Sequence, residues 1–148
     1  MGWGHEYRCQ KCGKNGEIYC DSGMEYEQEC KETYNAAQCG RLGSDWEICV
    51  KQNPLGAFDC KREVYKCACC GFWKNDSRKN YYTRKNARRA LKYVSETNME
   101  ELECIKEFFH ICPKCGGTML CIDLKEEGLN CTECGTVLEL LLHQFIWD

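Results

Sequence analysis

The chain is short of histidine and proline, with three His and two Pro in 148 residues. The scarcity of His limits the chemistry. There is no His-Glu-x-x-His segment and no His-x-Glu paired with Pro-Cys-x-x-Cys. That removes the usual zinc-protease and zinc-deaminase arrangements. A Gly-rich phosphate loop is missing too, and no His neighbour is in view to activate a cysteine nucleophile. The expectation is a protein that is not an enzyme. No apolar run reaches the roughly 18 residues of a membrane-spanning helix. An excess of positive charge is absent as well: the formal net charge is −3. Nucleic-acid binding would therefore need a local patch. The opening residues, Met1 to Cys9, contain no apolar h-region and no small-residue cleavage site. Glu6 stands where a myristoylation signal needs Ser or Thr. A cytoplasmic location with reduced thiols and no membrane partner is expected.

Cysteine, in contrast, is abundant, with 16 residues. In a reducing compartment that density points to metal ligation rather than disulfides. Eight of the Cys form four Cys-x-x-Cys-Gly knuckles: Cys9/Cys12, Cys67/Cys70, Cys112/Cys115 and Cys131/Cys134. Two intervening residues let one tight turn aim both sulfurs at a single ion, and the following Gly supplies a positive φ. Cys115 and Cys131 are separated by 15 residues. That fits the C-x2-C-x15–20-C-x2-C zinc spacing, so Cys112, Cys115, Cys131 and Cys134 are expected to form one site. Cys9, Cys12, Cys67 and Cys70 are expected to form the second, across a 54-residue insert. Both of these knuckles follow Tyr and a base, Tyr7-Arg8 and Tyr65-Lys66. Cys69 could replace Cys67 or Cys70 as a ligand. Two Zn2+ ions in closed four-thiolate sites are expected; iron of rubredoxin type and disulfides are the alternatives. The other eight, Cys20, Cys30, Cys39, Cys49, Cys60, Cys69, Cys104 and Cys121, read as small buried hydrophobes or as a third metal or redox site. His5 and His110 lie near knuckles but are not expected to be ligands.

The fold class expected is a small, metal-stabilised α+β protein: two zinc ribbons of short antiparallel strands with inserted helices. Residues 1–73 read as a split ribbon opening on a hairpin over 1–20, with a helical insert at about 21–53. The Ser22-x-x-Glu25 and Ser44-x-x-Glu47 boxes predict two helix starts. Phe58 to Cys67 reads as extended. Residues 74–109 read as a connector, basic then acidic. Segment 74–92 carries eight Lys or Arg against Asp76, and segment 95–107 five Glu against Lys106. A helix is predicted from about Thr83, with Ala87, Ala90, Leu91 and Val94 on its apolar stripe. A second is predicted after the Thr97-x-x-Glu100 box. Residues 110–148 read as a C-terminal ribbon with an apolar tail from Val137 to Trp147.

These motifs together resemble a family of small uncharacterised bacterial zinc-ribbon proteins with two four-cysteine ribbons, the first split by a helical insert. The resemblance is carried by Met1-Gly2-Trp3, Cys9 to Gly13, Pro54 to Ala57, Cys67 to Gly71 and Cys112 to Gly117. Tyr93-Val94-Ser95 before the acidic segment is also similar. It implies an architecture and no activity, and it implies that Tyr93-Val94 is extended.

Three functional readings follow. The first is a zinc-held interaction protein whose partner is another protein, with the tail Leu140 to Trp147 as a partner strand or homodimer seam; the favoured reading of the tail itself is the blander one, core packing against the second ribbon. The second is DNA or RNA binding through residues 72–93, with Trp73, Tyr81 and Tyr82 stacking on bases and Lys79, Arg84, Lys85, Arg88, Arg89 and Lys92 meeting phosphates. The bland alternative is a solvated basic segment docked on the acidic one. The third is a mobile-element inhibitor of a host nucleic-acid enzyme.

Overall fold

The computed structural model describes residues 2–86 and 88–147, except for the side chains of residues 142–144. Among the described residues the chain is α+β, with mostly antiparallel strands and two α-helices. It divides into two compact units. One comprises Met1–Gly23, Arg62–Asp76 and Phe109–Asp148; the other comprises Met24–Lys61 and Ser77–Phe108.

The first unit is a seven-stranded sheet. The first hairpin pairs β1 (Gly2–Arg8) with β2 (Asn15–Asp21). The sheet also takes in β4 (Arg62–Cys67), β5 (Trp73–Ser77), β8 (His110–Ile111), β9 (Thr118–Ile122) and β10 (Glu139–Trp147). The strand order is β10-β1-β2-β4-β9-β8, and β5 pairs with β4. The apolar tail is thus a strand, β10, lying antiparallel on β1 with Gly2 opposite Trp147 and Gly4 opposite Phe145. Any Cβ on Gly4 would meet the Phe145 ring at 2.5 Å, so the glycine makes room for that ring. Ile18, Cys20, Val64, Trp73, Leu129 and Leu138 form the larger core of this unit, and Tyr65 and Met119 belong to a smaller one.

The second unit sets α1 (Tyr26–Gln38) and α2 (Ser44–Gln52) with a sheet of β3 (Ala57–Asp59), β6 (Asn80–Arg84) and β7 (Leu102–Lys106) in the order β3-β6-β7. Helix α1 buries Tyr26, Cys30, Thr33 and Ala37, and α2 buries Trp46, Cys49 and Val50. Both sets recur at the 3.6-residue helical spacing in the sequence. The expected caps are different. Neither helix has a side-chain cap: Glu25 stands at the first N-cap and Gly43, with φ 109°, at the second. Ser22 instead hydrogen-bonds through its backbone N–H to Asp21 Oδ1, at 2.9 Å. Phe58 and Tyr81 pack with ring centroids 4.9 Å apart, and the Tyr81 hydroxyl donates to Asn53 O at 2.6 Å. Tyr81→Ala is expected to destabilise the chain by about 3–5 kcal/mol in denaturant titration. Tyr81→Phe should cost only about 1–3 kcal/mol, the cost of leaving a buried acceptor unpaired.

The connector corrects two expectations. Residues 83–92 hold no helix among those described, and the predicted stripe residue Ala87 lies outside the described residues. Tyr81, Tyr82 and Thr83 are β-formers, buried in a central strand between β3 and β7. Leu91 and Val94 reach the core, as expected of the stripe, but from extended chain and a 3-10 turn, with Leu91 N–H bonded to Leu55 O. The acidic segment is likewise a 3-10 turn, Met99–Glu101, followed by strand β7. Its cap is Asn98, whose side chain accepts from Glu100 N–H at 3.1 Å, and not Thr97. The two charged segments do meet, as neighbouring strands, with Arg84 paired to Glu101 at 3.8 Å.

Candidate metal centres

The four knuckles share one backbone geometry. In each, the N–H of the Gly bonds to the carbonyl of the first Cys: Gly13 to Cys9 at 3.0 Å, Gly71 to Cys67 at 3.1 Å, Gly116 to Cys112 and Gly135 to Cys131 at 2.9 Å. These glycines have φ of 75–76°, where a side chain would be strained. The N–H of each first Cys bonds back to the residue after the Gly, at 2.7–2.8 Å. Remaining donors face the sulfurs. Cys12 N–H points at Cys9 Sγ at 3.5 Å, and Gly117 N–H at Cys115 Sγ at 3.4 Å.

The knuckles combine in a crossed pairing. Cys9 and Cys12 meet Cys131 and Cys134; Cys67 and Cys70 meet Cys112 and Cys115. This corrects the pairing read from spacing. The facing sulfurs lie at 3.4 Å (Cys9–Cys134) and 3.6 Å (Cys12–Cys131) in one group. They lie at 3.4 Å (Cys67–Cys115) and 3.6 Å (Cys70–Cys112) in the other. The sheet is the cause. Antiparallel pairing of β4 with β9, Cys67 opposite Met119, and of β8 with β9, His110 opposite Met119, brings knuckles 67–70 and 112–115 together. Pairing of β1 with β10, Arg8 opposite Glu139, does the same for knuckles 9–12 and 131–134. A spacing rule sees only the chain between two knuckles and not the order of strands.

All four sulfurs of each group lie within 4.8 Å of one another. A tetrahedral zinc with Zn–S near 2.3 Å sets its sulfurs about 3.8 Å apart, so each group fits such an ion with four donors and no open position. Lys14 Nζ bridges two knuckles of the first group, 3.0 Å from Thr132 Oγ1 and 3.1 Å from Glu133 Oε1. Spacing did not single out these three residues; they sit inside or just after knuckles and show their role only once the knuckles pair. Without metal the four thiols compete for protons. The backbone N–H of Cys70 helps pull Cys67 down to about 6. The Gly117 N–H pulls Cys115 down, but its sulfur neighbours Cys67 and Cys70 push it up to about 12. A divalent cation removes that conflict by favouring all four thiolates.

The other expected site residues are placed as follows. Cys20, Cys30, Cys49 and Cys60 are buried, and Cys39, Cys69, Cys104 and Cys121 are exposed. His110 stacks on Tyr65 at 3.7 Å, outside both cysteine groups, and His5 meets the Trp3 ring at 5.2 Å. Of the residues expected to face nucleic acid, Trp73, Tyr81 and Tyr82 are buried. Trp73 belongs to the first unit and donates to Asn130 O at 2.8 Å, whereas Tyr81 and Tyr82 belong to the second. Lys79 lies over the Phe108 ring, 5.3 Å from its centroid. Arg84 is held by Glu101, and Lys85, Arg88, Arg89 and Lys92 are exposed.

The fold and site define a small α+β protein with two four-cysteine groups able to hold metal ions. No protein-family model matches the chain, and neither a curated protein nor a solved structure matches it. The zinc-ribbon resemblance therefore rests on the motifs themselves. No described helix is long and apolar enough to cross a membrane.

Proposed function

We propose that the chain is a zinc-binding, non-enzymatic interaction protein, whose two ribbon centres hold a sheet that presents a protein-binding surface. The observation that carries this reading is the closed donor set: four thiols per centre, leaving a tetrahedral ion no position for substrate or water. Such ions hold structure and do no chemistry. The reading places the chain in the cytoplasm, where thiols stay reduced. Strands β8 and β9 leave Ile111 and Leu120 exposed, and Phe109 just before β8 is 68% exposed. Exposed apolar side chains on a rigid sheet suit a protein partner. Strand β10, at the end of the strand order, offers a second seam suited to a homodimer.

Elemental analysis of the purified chain is expected to give about two zinc per chain. A colourless protein distinguishes zinc from iron. A ratio near zero after purification in reducing buffer would sink the reading. Ile111→Glu with Leu120→Glu should abolish a specific copurifying partner while leaving the zinc content unchanged. The nucleic-acid reading keeps one observation in its favour, the exposed cations Lys85, Arg88, Arg89 and Lys92. Buried Tyr81 and Tyr82 cannot stack on bases, so such binding would be electrostatic and strongly salt-dependent. Labelled DNA or RNA that fails to shift at low salt removes it.

A further inference from the structure

The second centre has a feature the first lacks. Within its first knuckle, the position before the last ligand is Cys69. The equivalent positions in the other three knuckles are Lys11, Lys114 and Glu133. Cys69 is exposed. An atom placed at the missing Cβ of Gly117 would lie 3.1 Å from Cys69 Sγ and 3.2 Å from both Cys115 Sγ and Cys67 Sγ. Three sulfurs therefore surround one point, where a side chain on residue 117 would be tight. Cys69 lies outside the group whose sulfurs are all mutually within 4.8 Å, so it is a fifth thiol beside a complete four-thiol set.

We propose that Cys69 is an oxidation site for peroxides, and that its modification opens the second centre by capturing Cys115 in a disulfide. The inference rests on the proposal that the centres hold zinc. Ligation shields the electron pairs of the four bound thiolates, so among the five thiols at this centre the unligated, exposed Cys69 is the first to react. Its sulfur attacks one peroxide oxygen; an S–O bond forms, the O–O bond breaks and hydroxide leaves with the Cys69 proton as water. Cys115 sulfur then leaves the metal and attacks Cys69 sulfur. An S–S bond forms, the S–O bond breaks and a second hydroxide departs. Two electrons pass from the sulfur pair to the peroxide. Cys115 is the partner because its sulfur shares the point beside Gly117 with Cys69 and it is exposed; Cys67 shares that point but is buried, and Cys70 is exposed but is not among the three atoms nearest it. Loss of one thiolate leaves three ligands and an open position, and the ion escapes. The first centre has Lys11 and Glu133 at the corresponding places and has no such route.

The test uses the full zinc-loaded chain and hydrogen peroxide, with release followed by a colorimetric zinc chelator. Zinc content is measured first, so a chain without zinc overturns the underlying reading and not this inference. One equivalent is expected to leave the wild-type chain quickly, with a Cys69–Cys115 disulfide found by fragment mass spectrometry. Cys69→Ser should slow that release by about tenfold or more. Cys39→Ser, which removes an exposed thiol elsewhere, should release zinc at the wild-type rate. Equal rates for wild type and Cys69→Ser would overturn the proposal. So would zinc loss without a Cys69 disulfide, and a Cys69–Cys67 bond would overturn the role given to Cys115.

Discussion

Replacing Cys9 and Cys131 together by Ser should remove one zinc from the chain and leave one. The crossed pairing puts both residues in the same centre, so the second loss adds nothing to the first. Replacing Cys112 and Cys131 together should remove both ions, because these residues belong to different centres. Pairing along the chain predicts the opposite for each variant. The two double variants therefore separate the arrangements by a whole equivalent of metal, far above the error of elemental analysis. A ratio of zero for the first variant and one for the second would show that the knuckles pair sequentially. The effect on stability should be large as well, since a structural zinc contributes on the order of 10 kcal/mol to its folded unit.

Stripping both metals with a chelator should unfold the first unit and spare the second. The first unit counts metal-ligating sulfurs among its core: Cys9 and Cys131 sit with Ile18, Val64 and Leu138, and Cys67 and Cys112 with Tyr65 and Met119. Without ions, each group is four thiols with conflicting protonation. The second unit has its own core of Tyr26, Trp46, Val50, Phe58 and Tyr81, and among the described residues no four-cysteine group falls in it. Hydrogen exchange should show the amides of Ile18 and Val64 losing protection by several orders of magnitude, while Val50 and Phe58 keep theirs. Helical circular dichroism should persist. Unchanged protection at Ile18 and Val64 in metal-free protein would mean that the clusters do not hold the sheet.

The parts legible in the sequence were those set by local chemistry. Each knuckle is fixed by two Cys, a two-residue gap and a Gly, so the eight Cys that the structure gathers into two groups could be named. The two helices were legible from the Ser22 and Ser44 boxes, although neither box caps its helix, and Tyr26–Cys30–Thr33–Ala37 and Trp46–Cys49–Val50 keep the 3.6-residue period. The errors arose where partners are distant. Segment 83–92 has the charge and Ala content of a helix, yet Tyr81, Tyr82 and Thr83 are claimed by strands on both sides. Aromatics interleaved with bases suggested stacking on nucleic acid, but the same aromatics fill the core. The knuckle pairing depended on β10 returning to β1. One signal for that was present: Gly2 and Gly4 alternate with larger residues, as Phe145 and Trp147 do in the tail, so small and large could have been matched across the strands.

The crossed arrangement also sets an order in time. Cys67 and Cys115 lie 48 positions apart, whereas Cys9 and Cys134 lie 125 apart. As the chain leaves the ribosome, the inner centre can close once Cys115 has emerged. By then the whole of the second unit, which ends at Phe108, has been made. The outer centre must wait for Cys134, and β1 stays without its β10 neighbour until Trp147 follows. Until then the opening hairpin carries the two thiols of its knuckle, Cys9 and Cys12, without their partners, and an unpaired strand edge. That interval is when the nascent protein is most exposed to wrong pairing.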